Sequence, residues 1–291
     1  MAHYTDRTWN SADGLRLHYR DYDGPRDRPP ILCIPGLTRN ARDFAPVADR
    51  FAGEWRVLVV DLRGRGLSEY DPKPANYVPQ TYAADLLKLL DQLGIADAVF
   101  VGTSLGGIVT MVMAMRDVER IAGACLNDVG PEIDQRGIDR IGSYVGKASS
   151  CASFEALALD FAARNADTFP DYTTEQWNAF ARCIASERAG RVEFDYDMAV
   201  AQTFEATRGA PAADIWPYYR ALAGRPVTLI RGELSDLLDA EVAERMAREI
   251  PDVELVTVPR VGHAPALDEP ESLAAIERLL GRVLVREDVS A

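Results

Sequence analysis

The chain has 291 residues, 47% of them hydrophobic and 26% charged, enough for one large core or one core carrying an inserted subdomain. Its formal charge of −13, from 32 basic and 45 acidic residues, repels phosphate backbones and anionic membranes, so neither nucleic acid nor a membrane is expected as a partner. No stretch nears the ~18 apolar residues a membrane helix needs and no apolar leader opens the chain, so a cytoplasmic location is expected.

In chain order, Arg7 to Ser11 and Leu15 to Tyr19 flank the turn dipeptide Asp13-Gly14 and predict an opening hairpin. Pro30 to Ile34 reads as a buried strand, Asp43 to Phe51 as an amphipathic helix, and Arg56 to Val60 as a second apolar strand. Thr81 is the expected N-cap of a helix through Leu93, which Gly94 closes. Ala98 to Val101 is the next strand, a helix from Ile108 to Arg116 follows, and Ile121 to Leu126 is one strand more. The alternation then lapses. From about Gly130 to Leu222 the chain reads as mostly helical, rich in alanine and aromatics, with no clear buried strand. It resumes with a strand at Pro226 to Ile230, a helix at Glu241 to Ile250, a strand at Val253 to Val258 and a last helix from Glu269 to about Val285.

Uninterrupted apolar strands separated by helices imply a mostly parallel, doubly wound α/β sheet covered on both faces. The expected division is a core of residues 1–129 and 223–291 with a helical cap, or lid, of residues 130–222. Four cysteines, Cys33, Cys125, Cys151 and Cys183, have no metal-ligand spacing, and no metal site is expected. Cys33 and Cys125 lie in apolar runs, as small buried hydrophobes do.

The pentapeptide Gly102-Thr103-Ser104-Leu105-Gly106 directly follows an apolar strand and leads into a helix. That context makes Gly-x-Ser-x-Gly a nucleophile elbow, in which Gly102 and Gly106 permit a turn tight enough to project the serine hydroxyl from the sheet. A serine hydroxyl needs an adjacent base, itself oriented by a third group. Of three histidines, His3 lies near the terminus and His18 alternates in the hairpin as a surface strand residue. His263 follows the strand Val253 to Val258, in a loop at the carboxyl edge where ligands bind such sheets. For the orienting acid, Asp236 in the loop after Ile230 is the first choice and Glu233 a distant second; Asp128, after the strand ending at Leu126, is the competing candidate. Two backbone N–H groups are expected to face a developing oxyanion, from Leu105 in the elbow and Leu37 in the turn Pro35-Gly36-Leu37-Thr38.

These segments resemble the α/β-hydrolase superfamily over nearly the whole chain, and the order Ser104, Asp236, His263 matches that family's nucleophile, acid, histidine order. Asp61-Leu62-Arg63-Gly64-Arg65-Gly66-Leu67-Ser68 and Gly262 to Pro270 are further matching segments; the first reads as a structural loop anchored by Arg63. One departure is Pro35-Gly36, where family members usually carry His-Gly. The resemblance implies acyl transfer to water with no metal or organic cofactor, since dehalogenases and epoxide hydrolases of this family use an aspartate where Ser104 stands. The expected substrate is a small or medium, mainly apolar ester, or a lactone. The cap aromatics Tyr144, Phe154, Phe161, Phe169, Tyr172, Trp177, Phe180, Phe194, Tyr196, Phe204, Trp216, Tyr218 and Tyr219 favour an apolar pocket. Hydrolysis of carbon–carbon bonds in acidic diketones, or of an enol-lactone, is the alternative, with Arg182, Arg188 and Arg191 as candidate anion contacts. A small-molecule receptor that keeps the triad is the third reading.

Overall fold

The computed structural model of the protein describes residues 1–147, 150–207 and 213–290. The first strands are β1 (Tyr4–Asn10), β2 (Arg16–Tyr22), β3 (Ile31–Ile34), β4 (Val57–Asp61), β5 (Ala98–Thr103) and β6 (Ile121–Asn127). Between them lie α1 (Ala45–Phe51), α2 (Pro79–Leu93) and α3 (Leu105–Asp117). After the segment that follows β6, described below, come β10 (Val227–Gly232), α9 (Ala240–Glu249), β11 (Val253–Val258) and α10 (Pro270–Ser290).

These strands form one eight-stranded sheet in the order β1-β2-β4-β3-β5-β6-β10-β11. The hairpin of β1 and β2 is antiparallel and β2 meets β4 antiparallel, whereas every pairing from β4 to β11 is parallel. The strand composition explains the layering. Successive side chains point to opposite faces, and in β3, β4 and β5 every position up to Gly102 is buried. Leu32, Ile34, Leu58, Val60 and Phe100 face one core, packed by α2, α3 and α9. Ile31, Cys33, Val57, Val59, Val99 and Val101 face a second core, packed by α1 and α10. A strand buried on both sides cannot show polar alternation, which is why these read as continuous apolar runs.

Element boundaries differ from expectation where turn chemistry intervenes. The helix expected to start after Thr81 starts at Pro79, with Val78 as cap residue, because proline's fixed φ suits the first helical position. Gly94 closes it in the left-handed conformation at φ 64°. The helix expected from Asp43 begins as a 3-10 turn, Ala41–Phe44, and α1 proper opens at Ala45 with Pro46 in its first turn.

Residues between β6 and β10 hold α4 (Gln135–Gly142), α5 (Phe154–Asn165), α6 (Thr174–Ile184), α7 (Val200–Thr207) and α8 (Trp216–Arg220). They also hold a small antiparallel sheet, absent from the expectation, of β7 (Ser150–Cys151), β8 (Ala185–Arg188) and β9 (Arg191–Phe194) in the order β7-β9-β8. Its strands are only two to four residues long and just Ala185 and Val192 in them are buried, so they lack the apolar run that marks a buried strand. Residues 148–149 and 208–212 of the expected cap lie outside the described residues.

This segment is fastened to the sheet through the loop after β4. The Gly66 N–H donates to the Asp195 carbonyl, the Asp197 N–H to the Gly64 carbonyl, and the Tyr77 hydroxyl to Asp197 at 2.6 Å. The loop is itself pinned: the buried Arg63 guanidinium binds Asp13, Asp85 and Asp71, and Asp61 accepts from the Ala41 and Leu67 N–H groups. His18, expected at the surface, is instead buried, with Nδ1 2.7 Å from Asp61 and Nε2 2.9 Å from Asp6. The loop after β4 covers this part of β2, where the Ser68 hydroxyl oxygen accepts from the His18 N–H at 2.8 Å. No helix among the described residues is long and apolar enough to cross a membrane.

Candidate active site

Ser104 links β5 to α3 with φ 53° and ψ −115°, a conformation an L-residue adopts only under strain. The turn is that tight because two backbones interpenetrate. A Cβ at Gly102 would lie 2.5 Å from the Gly106 carbonyl carbon, and one at Gly106 would lie 2.1 Å from the Ile34 carbonyl oxygen. Any side chain there would force β3, β5 and α3 apart. The Ser104 N–H donates to the Asn127 carbonyl, tying the elbow to the end of β6.

His263 lies in the loop after β11, with Nε2 3.0 Å from Ser104 Oγ and Nδ1 2.7 Å from Asp128 Oδ2. Asp128 is fully buried. Its Oδ1 accepts the Gly232 N–H at 2.9 Å, and its Oδ2 also accepts the Ser235 hydroxyl at 2.6 Å. These donors hold the carboxylate in place while it faces the imidazole, which is what an orienting acid must do.

Asp236, the first choice from sequence, does not reach His263. It forms a two-pronged ion pair with Arg140 of α4, at 2.5 Å from Nε and 2.7 Å from Nη2. Burial alone would raise its carboxyl pKa, but the Arg140 guanidinium holds it below the usual value. The competing candidate Asp128 takes the place beside the histidine, because β6 ends directly next to β5, whereas the loop after β10 turns toward α4. Glu233 lies elsewhere, accepting the Arg260 N–H at the surface. Nothing in the linear sequence separates Asp128 from Asp236; both follow strands of the same sheet.

The expected oxyanion donors belong to the two backbone segments that adjoin Ser104. Leu105 opens α3, so its N–H is one of the donors a helix start leaves without an intrahelical acceptor. Leu37 follows Gly36, where an added Cβ would lie 3.7 Å from the Ser104 Cβ, so this turn abuts the elbow. Among the described residues neither N–H donates to a protein acceptor. The turn is braced from behind by the fully buried Arg65, whose Nε donates to the Leu37 carbonyl at 2.9 Å and whose guanidinium sits between the Tyr77 and Tyr82 rings. The brace from Arg65 had no sequence signal beyond the loop motif.

Ser104 and His263 open into a cavity of about 520 Å³. Phe161, Phe169, Tyr172, Trp177 and Phe180, from α5, α6 and the stretch joining them, form an aromatic wall with ring centroids 4.7 to 5.9 Å apart along the chain of contacts. Arg182, Arg188 and Arg191 are not among the lining residues; each is engaged by another group, Glu155, Asp195 and Ser150 respectively. Arg39 and Arg140, which line the cavity, were not singled out from sequence. No cluster of three or more potential metal ligands occurs among the described residues.

The model of the alpha/beta hydrolase family matches residues 31–276. The chain is 33% identical over 274 residues to the 3-hydroxybutyrate-oligomer hydrolase of Cupriavidus necator, covering 91% of this chain and 92% of the relative. It is 28% identical to the 2-(acetamidomethylene)succinate hydrolase of Mesorhizobium japonicum, covering 87% of this chain and 88% of that one. Among solved structures, an alpha/beta hydrolase from Novosphingobium aromaticivorans superposes with a TM-score of 0.92 at 52% identity, covering 97% of this chain and 99% of that one.

Proposed function

Because the chain belongs to the alpha/beta hydrolase family, whose relatives named above are hydrolases, we propose that it hydrolyses carboxylic esters through an acyl-enzyme on Ser104. The observation that carries this reading is the unbroken relay from Ser104 Oγ to His263 Nε2 at 3.0 Å and from His263 Nδ1 to Asp128 Oδ2 at 2.7 Å. Ser104 Oγ attacks the ester carbonyl as His263 Nε2 takes its proton. Asp128 fixes the tautomer that leaves Nε2 free and stabilises the imidazolium. The Leu37 and Leu105 N–H groups receive the negative charge that develops on the carbonyl oxygen, a contribution of about 3 kcal/mol per donor in such sites. His263 then protonates the leaving alkoxide, the alcohol departs, and water activated by the same imidazole releases the acid. No step calls for a metal or an organic cofactor.

Residues 130–222 act in this reading as the cap that shapes the substrate site, since α4, α5 and α6 supply much of the wall above Ser104. The volume and aromatic lining suit a small or medium ester. The name of the Cupriavidus necator relative supports the reading, because an oligomer of a hydroxy acid is joined by ester bonds.

The test is turnover of p-nitrophenyl acetate and butyrate. Wild-type enzyme is expected to exceed Ser104→Ala by roughly 10³-fold or more, the usual scale for losing a triad member. Equal rates for the two proteins would overturn the proposal. A second reading, hydrolysis of a carbon–carbon bond in an acidic diketone by the same relay, draws on the arginines in the cavity wall; a panel of neutral esters against anionic diketones separates the two.

A further inference from the structure

The chain as a whole is acidic, with 45 acidic residues against 32 basic, yet its cavity wall has the opposite balance. Among the described residues it carries Arg39, Arg42, Arg140 and Arg164 against two carboxylates, Asp43 and Asp268. Arg42 is engaged by the Cys183 and Ala185 carbonyls and by Asp195. Arg164 is largely exposed and pairs with Asp160. Arg39 and Arg140 remain, and they are held differently.

Each of these two guanidinium groups is clamped from one side. Asp43 grips Arg39 through Nε and Nη2, both at 2.7 Å, and the group also stacks 4.4 Å from the Phe180 ring centroid. Asp236 grips Arg140 through the same pair of atoms. Guanidinium offers five N–H donors in a fixed plane, so each carboxylate takes only two of them; Arg140 gives one more to the Tyr144 hydroxyl oxygen, which leaves that hydroxyl's own proton to donate. Arg39, Arg140 and Tyr144 line the same cavity, and Arg39 and Tyr144 also line the smaller recess beside it. The two arginine side chains are about three-quarters buried, at 22% and 25% exposure, which keeps water from screening them fully. Of the opposing carboxylates, Asp43 is committed to Arg39, and burial pushes the Asp268 carboxyl above its ordinary pKa.

We propose that Arg39, Arg140 and Tyr144 form an anion subsite, and that the substrate is an ester carrying a free carboxylate on its acyl or alcohol half. The subsite holds that carboxylate by charge-assisted hydrogen bonds while the aromatic wall takes the alkyl chain, so Ser104 receives the ester carbonyl in a fixed orientation. The inference rests on the ester-hydrolase reading above and narrows its substrate from apolar esters to half-acid esters.

The test compares pairs that differ only in charge. One pair is 3-butyryloxybutanoate and its neutral amide, 3-butyryloxybutanamide; the other is monoethyl glutarate and ethyl glutaramate. Wild-type enzyme is expected to prefer the acid in at least one pair by roughly tenfold to hundredfold in kcat/KM, the worth of one or two hydrogen bonds to a charged group. Arg140→Gln and, separately, Arg39→Gln are expected to reduce that acid-to-amide ratio by about tenfold, mainly through KM. Because each ratio is internal to one protein, loss of folded enzyme lowers both rates and cannot imitate the effect. Competitive inhibition of p-nitrophenyl butyrate turnover by 3-hydroxybutyrate, weakened in either variant, is the second expected result. A wild-type ratio near one in both pairs, or a ratio that survives both substitutions, would overturn the subsite. Absence of Ser104-dependent p-nitrophenyl butyrate turnover would instead sink the ester reading itself.

Discussion

Asp128 holds its place through its own backbone: at φ 56° it turns off the end of β6 in the left-handed region, while its N–H still donates to the Ile230 carbonyl at 2.7 Å. That geometry swings the carboxylate between the Gly232 N–H, the Ser235 hydroxyl and the His263 ring. Asp236 has no such approach and serves Arg140. The two roles predict different losses. Asp128→Asn keeps the shape but offers the imidazole an amide, and is expected to lower kcat on p-nitrophenyl butyrate by roughly 10³- to 10⁴-fold, as tautomer-breaking substitutions do. Asp236→Asn is expected to cost far less on the same neutral ester. Stopped-assay kcat values for both variants decide the matter, and a larger loss at residue 236 would reassign the acid.

The elements put these side chains together because parallel strands all end on the same edge. Ser104 follows β5, Asp128 follows β6, His263 follows β11 and Leu37 follows β3, so four loops distant in sequence open at one rim. The tightest backbone-to-backbone approach on that rim is the crossing of α3 over β3 at Gly106, where the backbone of Ile34 leaves no space for a methyl group. Gly106→Ala is therefore expected to lose activity and stability together, at a cost of about 1–3 kcal/mol for an overpacked site. Urea denaturation would measure it; a variant as stable and active as the wild type would show that the elbow can relax.

At the scale of the whole molecule, the antiparallel hairpin is locked to the parallel sheet by His18, which bridges Asp6 of β1 and Asp61 of β4. Burial lowers the His18 pKa, but the two carboxylates outweigh it and the net shift is upward from 6.5. A group whose folded pKa is raised stabilises the fold fully below its unfolded pKa and loses that contribution as pH rises through the folded value. The stability difference between wild type and His18→Gln is thus expected to be largest at about pH 6 and to shrink as pH climbs above neutrality. Urea melts across that range test it, and a difference that grows with pH would reverse the assignment.

The sequence alone determined the sheet, its parallel character and the elbow, because apolar runs, flanking glycines and a Gly-x-Ser-x-Gly placed after a strand are local signals that burial and sterics impose on neighbouring residues. It also singled out His263, since only three histidines existed and one followed a strand. Tertiary structure decided what depended on distance through space. Asp128 and Asp236 both follow strands, and only the adjacency of β5 and β6 sets one of them on the imidazole. The three short strands β7, β8 and β9 have no signal in the sequence because two to four residues with at most one buried position carry no hydrophobic period. Arg39 and Arg140 lie about a hundred residues apart and look like ordinary surface charges until the fold brings the loop after β3 and helix α4 to one cavity.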